Sequence, residues 1–170
     1  MSGELRAAHV LGALVVFDLF LYCLHRIGHG VGWRIHCAHH APPHFSVAMS
    51  FRDSVVHLVV FAAAFVSLEF WLDLSFEEGA LVSCVLLVFQ VWTHVRAWIP
   101  LGPIDWLLIG PRHHCVHHAT PMKADLVNLG GLLCFWDQMG GTYRHPPKAN
   151  PVPPQWPRRS PPRVRHWLGL

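Results

Sequence analysis

The sequence predicts an all-helical integral membrane protein, with about three transmembrane helices and a cytoplasmic histidine-rich helical cap. Three observations predict it. The chain of 170 residues is 52% hydrophobic. Only 14% of it is charged, where soluble domains carry about 25%. Its fifteen histidines outnumber its thirteen lysines and arginines. That hydrophobicity excludes a disordered chain. A formal charge of +3, with basic residues clustered only near the C-terminus, argues against a nucleic-acid partner. Cys23, Cys37, Cys84, Cys115 and Cys134 are odd in number and contain no CxxC pair, which argues against a disulfide framework.

Crossing a bilayer takes roughly 20 mostly apolar residues. Residues 7–24 supply the first such run, interrupted only by His9 and Asp18. It is too long for the apolar part of a signal peptide. Residues 54–72 supply the second, with His57 and Glu69. Residues 79–99 supply the third, with Gln90, His94 and Arg96 toward its end. The acidic stretch 73–78 joins the second and third into a membrane hairpin. A soluble bundle of buried helices is the alternative. With three crossings, residues 25–53 and everything from Arg96 onward share one side. That side holds twelve of the thirteen lysines and arginines, only Arg6 lying opposite. The positive-inside rule makes it the cytoplasm and leaves the N-terminus outside.

Residues 1–144 thus form one membrane domain, whose cap comprises 25–53 and 100–144. Pro and Gly allow only short helices between residues 101 and 143. Eight of the 26 residues from His145 to Leu170 are proline, interleaved with Lys148, Arg158, Arg159, Arg163 and Arg165. This reads as an extended, disordered tail whose cations can rest on anionic headgroups.

The fold-back collects the histidines at one face. HRIGH places His25 and His29 at i and i+4 on a helix leaving the membrane. HCAHH places His36, His39 and His40 at i, i+3 and i+4, and HHCVHH repeats that spacing with His114, His117 and His118. His94 joins them from the third span. All-imidazole sets suit Zn, Cu, Fe and Ni. Nine imidazoles are too many for one ion, so two metals at four or five ligands each fit. His9, His145 and His166 read as ordinary histidines, His57 as an outer partner of the site, and His44 and His113 are open. Asp18, Tyr22, His25 and His29 advance by four, three and four along one helical stripe. Asp18 lies about 10 Å from His25, so it acts from an outer position, on Tyr22 or on a histidine of another segment.

These residues resemble the fatty acid hydroxylase/sterol desaturase superfamily of membrane di-iron enzymes. The match begins at Asp18, Tyr22 and HRIGH and runs through Trp33 to HCAHH and Arg52. It resumes at His94, the PLGP from Pro100 and the PRHHCVHH from Pro111. It closes on Asn128, Gly130 and the WDQMGGTY that starts at Trp136. The resemblance implies two Fe2+ ions, O2 as co-substrate, and hydroxylation or desaturation of a C–H bond in a membrane lipid such as a fatty acyl chain or sterol. It implies as ligands His25, His29, His36, His39, His40, His94, His114, His117 and His118. Asn128 matches an asparagine near the site, and His113 is the neighbour of a ligand. No haem or flavin domain is legible, so a separate electron donor is expected, a ferredoxin or a cytochrome b5-like carrier with its reductase. Many members carry an asparagine two residues after the His94 position or a histidine four residues after it. Arg96 and Trp98 stand there instead, so one metal is expected to lack a ligand. An aromatic usually precedes the closing GT, where this chain has Gly140 and Gly141. Three other readings remain open: a carotenoid-type ring hydroxylase, a non-catalytic membrane metal-binding protein, and a bis-histidine haem protein. The first fits less well, because its third box is HxxxxH and it lacks the WDxxxGT-like ending.

Overall fold

A computed structural model describes residues 3–42, 44–119 and 126–148. The regular structure among the described residues is helical, with one isolated antiparallel bridge between Leu108 and Leu133. Six α-helices follow in order: α1 (Gly3–His29), α2 (Trp33–His36), α3 (Val55–Trp71), α4 (Phe76–Thr93), α5 (Pro111–Ala119) and α6 (Phe135–Gly140). Short 3-10 turns at Val47–Phe51 and Gly102–Trp106 link them.

The first predicted span extends at both ends. α1 has 27 residues, about 40 Å at 1.5 Å per residue, so it carries His25 and His29 beyond the apolar run. Glu4 in its first turn and Arg26 and His29 in its last complement the helix dipole. α3 starts at Ser54, whose hydroxyl accepts the His57 amide at 3.1 Å. α4 starts with a capping box. Ser75 Oγ accepts the Glu78 amide, and the Glu78 carboxylate accepts the Ser75 amide. The predicted acidic hairpin therefore narrows to a turn just before Phe76, with Glu77 and Glu78 already inside α4.

The third predicted span, 79–99, is corrected to α4. It begins three residues earlier and stops at Thr93. The cause is the carbonyl of Gln90. It accepts His94 Nδ1–H at 2.8 Å, Thr93 Oγ–H at 3.0 Å and Ser50 Oγ–H at 3.2 Å. The His94 amide turns instead to Val91. Side chains thus replace the next backbone donor and end the helix.

α1 and α4 are long and apolar enough to cross a membrane, and α3 is a shorter apolar helix of 17 residues. The packed centre is small: Ala13, Phe17, Val82 and Leu86, with Phe65 and Leu21 against them. No α3 residue is buried. Leu11, Val15, Val59, Val66, Leu87 and Val88 are exposed. Helices apolar on their outward faces have the surface of segments packed in lipid. At the far end His9 Nε2 donates to the Leu72 carbonyl at 3.0 Å, which gives His9 a structural role. At the other end α5 packs on α4 and α6 on α1, so these two short helices close over the helix ends. The predicted tail lies outside the described residues from 149 onward.

Candidate metal centre

All nine predicted ligands come together. They form two groups, His25, His29, His36, His40 and His117 in one, and His39, His94, His114 and His118 in the other. Within each group the ligand nitrogens lie inside 4.8 Å of one another. The HxxHH boxes were expected each to present a single face. The structure divides them, because the i, i+4 pairs His36/His40 and His114/His118 stay together while His39 and His117 cross to the opposite group.

The nitrogen spacing tests whether metal fits. In the five-histidine group, His40 Nε2 lies 3.1 Å from His29 Nε2 and from His36 Nε2, and 3.2 Å from His117 Nε2. In the four-histidine group, His94 Nε2 lies 3.2 Å from His39 Nε2 and 2.9 Å from His114 Nε2, which is 3.0 Å from His118 Nε2. Ligands about 2.1 Å from one ion and at right angles to each other sit about 3.0 Å apart. Tautomers sharpen the point. His25, His94 and His117 each donate Nδ1–H at 2.8 Å to a backbone carbonyl, of Leu129, Gln90 and Val127 respectively. Their Nε2 atoms therefore carry bare lone pairs. His25 Nε2 is buried with no hydrogen-bond partner among the described residues. Buried imidazole nitrogens this close together, three of them with lone pairs turned inward and one of those without a partner, make a ready ligand set, and the residues present fit metal.

Burial, followed by the neighbouring imidazoles, holds His36, His39, His40, His114, His117 and His118 well below their usual pKa. These six imidazoles are neutral at physiological pH, the state that ligates.

The loop that fixes two of these rings is organised around Asn128. Val127 and Leu129 supply the carbonyls for His117 and His25. Asn128 between them has φ 51°, in the left-handed region that asparagine tolerates. Its Nδ2 donates to the carbonyls of His113 (3.2 Å) and Arg144 (3.0 Å), and its Oδ1 accepts the Arg144 amide at 2.8 Å. Asp137, absent from the predicted site, clamps the same loop by accepting the amides of Leu129 (2.7 Å) and Gly130 (2.8 Å) and the Thr142 hydroxyl (2.6 Å). Its signal in the sequence is the acid inside the otherwise uncharged WDQMGGTY.

Asp18 bonds neither Tyr22 nor a histidine, contrary to its expected partners. It accepts the amides of Leu132 (2.8 Å) and Leu133 (3.0 Å) and the Trp136 indole (2.9 Å). It pins the chain just after the Leu129 carbonyl, three residues removed from His25's partner. Tyr22 meets Thr142 at 3.2 Å and accepts Arg26 Nη1 at 2.6 Å. This explains the missing aromatic before GT: a Cβ at Gly140 would overlap the Tyr22 hydroxyl, and Gly141 takes φ 70° to end α6.

Arg96 is exposed and no part of the cluster. Trp98 lies 5.3 Å from the Arg112 guanidinium, which pairs with buried Asp105 at 3.1 Å. The group containing His94 is the one with four ligands. His113 is buried outside both groups, its pKa lowered to about 4 by burial. His44 and His145 are exposed, and His166 lies outside the described residues. His57 binds Asp53 and stands 5.7 Å, ring to ring, from His36.

A cavity of about 620 Å³ opens beside the cluster. His25, His36, His39 and His114 line one end, and Phe61, Phe65 and Leu86 lie along its walls.

Comparison with known proteins agrees with the geometry. Alkylglycerol monooxygenase of Xenopus tropicalis is 31% identical over 132 residues, 74% of this chain and 28% of that protein. The ornithine lipid hydroxylase OlsE of Rhizobium tropici is 28% identical over 150 residues, 85% of this chain and 44% of that one. Cholesterol 25-hydroxylase-like protein 2 of Danio rerio is 26% identical over 157 residues, 81% and 50% of the two chains. This chain thus spans half or less of the length of these relatives. No solved structure matches it. The fatty acid hydroxylase family matches over residues 10–142, a stretch that holds every one of the nine clustered histidines and the loop that orients them, and the chain belongs to that family.

Proposed function

We propose that the protein is an O2-dependent membrane oxidoreductase that hydroxylates a lipid C–H bond, with two Fe2+ ions held by the nine histidines. The observation that carries this is the sorting of nine imidazoles, eight of them buried, into groups of five and four with ring nitrogens about 3 Å apart. His25, His29, His36, His40 and His117 hold one iron. His39, His94, His114 and His118 hold the other. Iron supplies the oxidising power when O2 and electrons arrive.

The chain supplies position and dryness. The carbonyls of Gln90, Val127 and Leu129 lock three rings with Nε2 inward, and such outer partners make an imidazole a better ligand. The apolar cavity holds an alkyl chain or ring system against the histidine wall and keeps water from it. The overall balance is one C–H bond, one O2, two electrons and two protons in, and one alcohol and one water out. The electrons come from a separate carrier, a ferredoxin or a cytochrome b5-like protein with its reductase. Names of relatives such as alkylglycerol monooxygenase and ornithine lipid hydroxylase support hydroxylation over desaturation. The cavity favours an enzyme over a metal store, which has no use for an apolar chamber at its ligands. α3 makes the third crossing, with the centre at the cytoplasmic face and the N-terminus outside, as the charge distribution indicates.

Comparative lipidomics of cells carrying the wild-type protein or His117→Ala tests the reading. A hydroxylated lipid present only with wild type is expected. Identical lipid profiles, with the wild type carrying its iron, would support the non-catalytic alternative.

A further inference from the structure

The cavity has a second polar end. From the histidine end, His57, Phe61, Phe65 and Glu69 succeed one another at steps of four along α3, and all four line it. Phe61 stacks on Phe65 at 5.0 Å, and Phe65 meets Phe17 at 4.7 Å, so the wall between the polar ends is aromatic and firm. Glu69 stands twelve residues beyond His57, about 18 Å along a helix.

Glu69 Oε1 accepts the Ser83 hydroxyl at 3.2 Å from α4. Its Oε2 accepts nothing from the described residues. Opposite, a Cβ at Gly79 would stand 3.1 Å from Oε1, so glycine leaves the carboxylate its room. A bond that merely joined two helices would need one oxygen and no charge. An ionisable group on an apolar helix that faces a cavity, with acceptor capacity to spare, is placed to meet a ligand.

We propose that Glu69 and Ser83 form a subsite for the hydrogen-bond-donating end of the lipid, a terminal hydroxyl or ammonium group. The subsite sets which carbon reaches the histidines. The ligand class is a long single chain or elongated ring lipid that reaches from the subsite toward the histidine end, where the His57 ring stands 5.7 Å from that of His36. Glu69 and His57 are about 18 Å apart along α3. In an extended chain that is roughly fourteen carbon–carbon bonds, each advancing about 1.25 Å. The identity of the oxidised carbon rests on the lipid-oxidation reading above, but the subsite does not.

Binding of hexadecan-1-ol, hexadecylamine and 1-methoxyhexadecane to the metal-free protein in detergent tests it directly. The ether has no hydrogen to donate. Wild type is expected to hold the alcohol or the amine about tenfold more tightly than the ether. Preference for the amine identifies an ammonium ligand, and preference for the alcohol a hydroxyl. Glu69→Leu is expected to bring all three to the same affinity while ether binding persists, which shows the cavity intact. Equal binding of ether and alcohol by wild type, or discrimination retained in Glu69→Leu, would overturn the proposal. With iron, reductant and O2, alcohols from tetradecan-1-ol to icosan-1-ol are expected to be oxidised at a fixed distance from the hydroxyl end. A position counted from the methyl end contradicts the proposal. Discrimination by Glu69 without product from any alcohol leaves the subsite standing and removes the lipid-oxidation reading.

Discussion

On α5, which turns about 100° per residue, His117 lies about 60° to one side of His114 and His118 about 40° to the other, so this box cannot aim all three rings at one point. In the other box α2 ends at His36, and the turn that follows separates His39 from His40. His39 and His117 are the residues that cross over, each completing the group that the other box begins. His117→Ala should consequently weaken the five-histidine group and leave the four-histidine group loaded, which metal analysis during graded chelation can read. Asn128 offers a sharper residue-scale test. Asn128→Ala loses three hydrogen bonds and sets alanine at φ 51°, a loss of about 3 kcal/mol. Asn128→Gly keeps the backbone conformation and should recover about 1 kcal/mol of it in the same denaturation experiment.

At the scale of elements, the sequence showed the three long apolar helices and the order of the histidine boxes along the chain. It showed less of where helices stop and what holds the loops. The run through residue 99 looked continuous because hydrophobicity continues past His94. The stop comes from side-chain donors on the Gln90 carbonyl, a pattern of three contacts that no periodicity displays. The boxes were legible as clusters from spacing, yet their partition depends on meetings of distant segments, His40 with His117 and His39 with His94. Asp137 was hidden because its partners are backbone amides of a distant loop. Asp18 was seen as an outer residue but given the wrong partners, since Leu132, Leu133 and Trp136 lie more than a hundred residues away. Because Asp18 holds the segment that follows the Leu129 carbonyl, Asp18→Ala should lower iron affinity about tenfold without touching a ligand. Unchanged iron affinity in a folded Asp18→Ala protein would place Asp18 outside the support of the centre.

At the scale of the molecule, the candidate centre is a cluster of imidazoles built into a small helical frame, and its pH response follows. Burial lowers the pKa of six of the clustered histidines well below 6.5 in the folded, metal-free protein. Above about pH 6.5 those groups are neutral in both states and contribute no pH dependence. Below it the unfolded chain takes up protons that the folded chain refuses. Each such histidine then lowers stability by about 1.4 kcal/mol per pH unit. The thermal midpoint of metal-free protein should be level above neutral pH and fall steeply between about pH 6.5 and 5. A midpoint that stayed level down to about pH 5 would mean that the rings are solvated and titrate alike in both states.

The most direct measurement is iron stoichiometry of the purified, iron-loaded protein beside His29→Ala and His118→Ala, one variant from each group. Two iron ions per wild-type chain are expected, with each variant losing one of them preferentially on mild chelation and the two losses differing in spectroscopic signature. One iron or none per wild-type chain, or two variants that lose the same ion, would contradict a centre divided between five histidines and four.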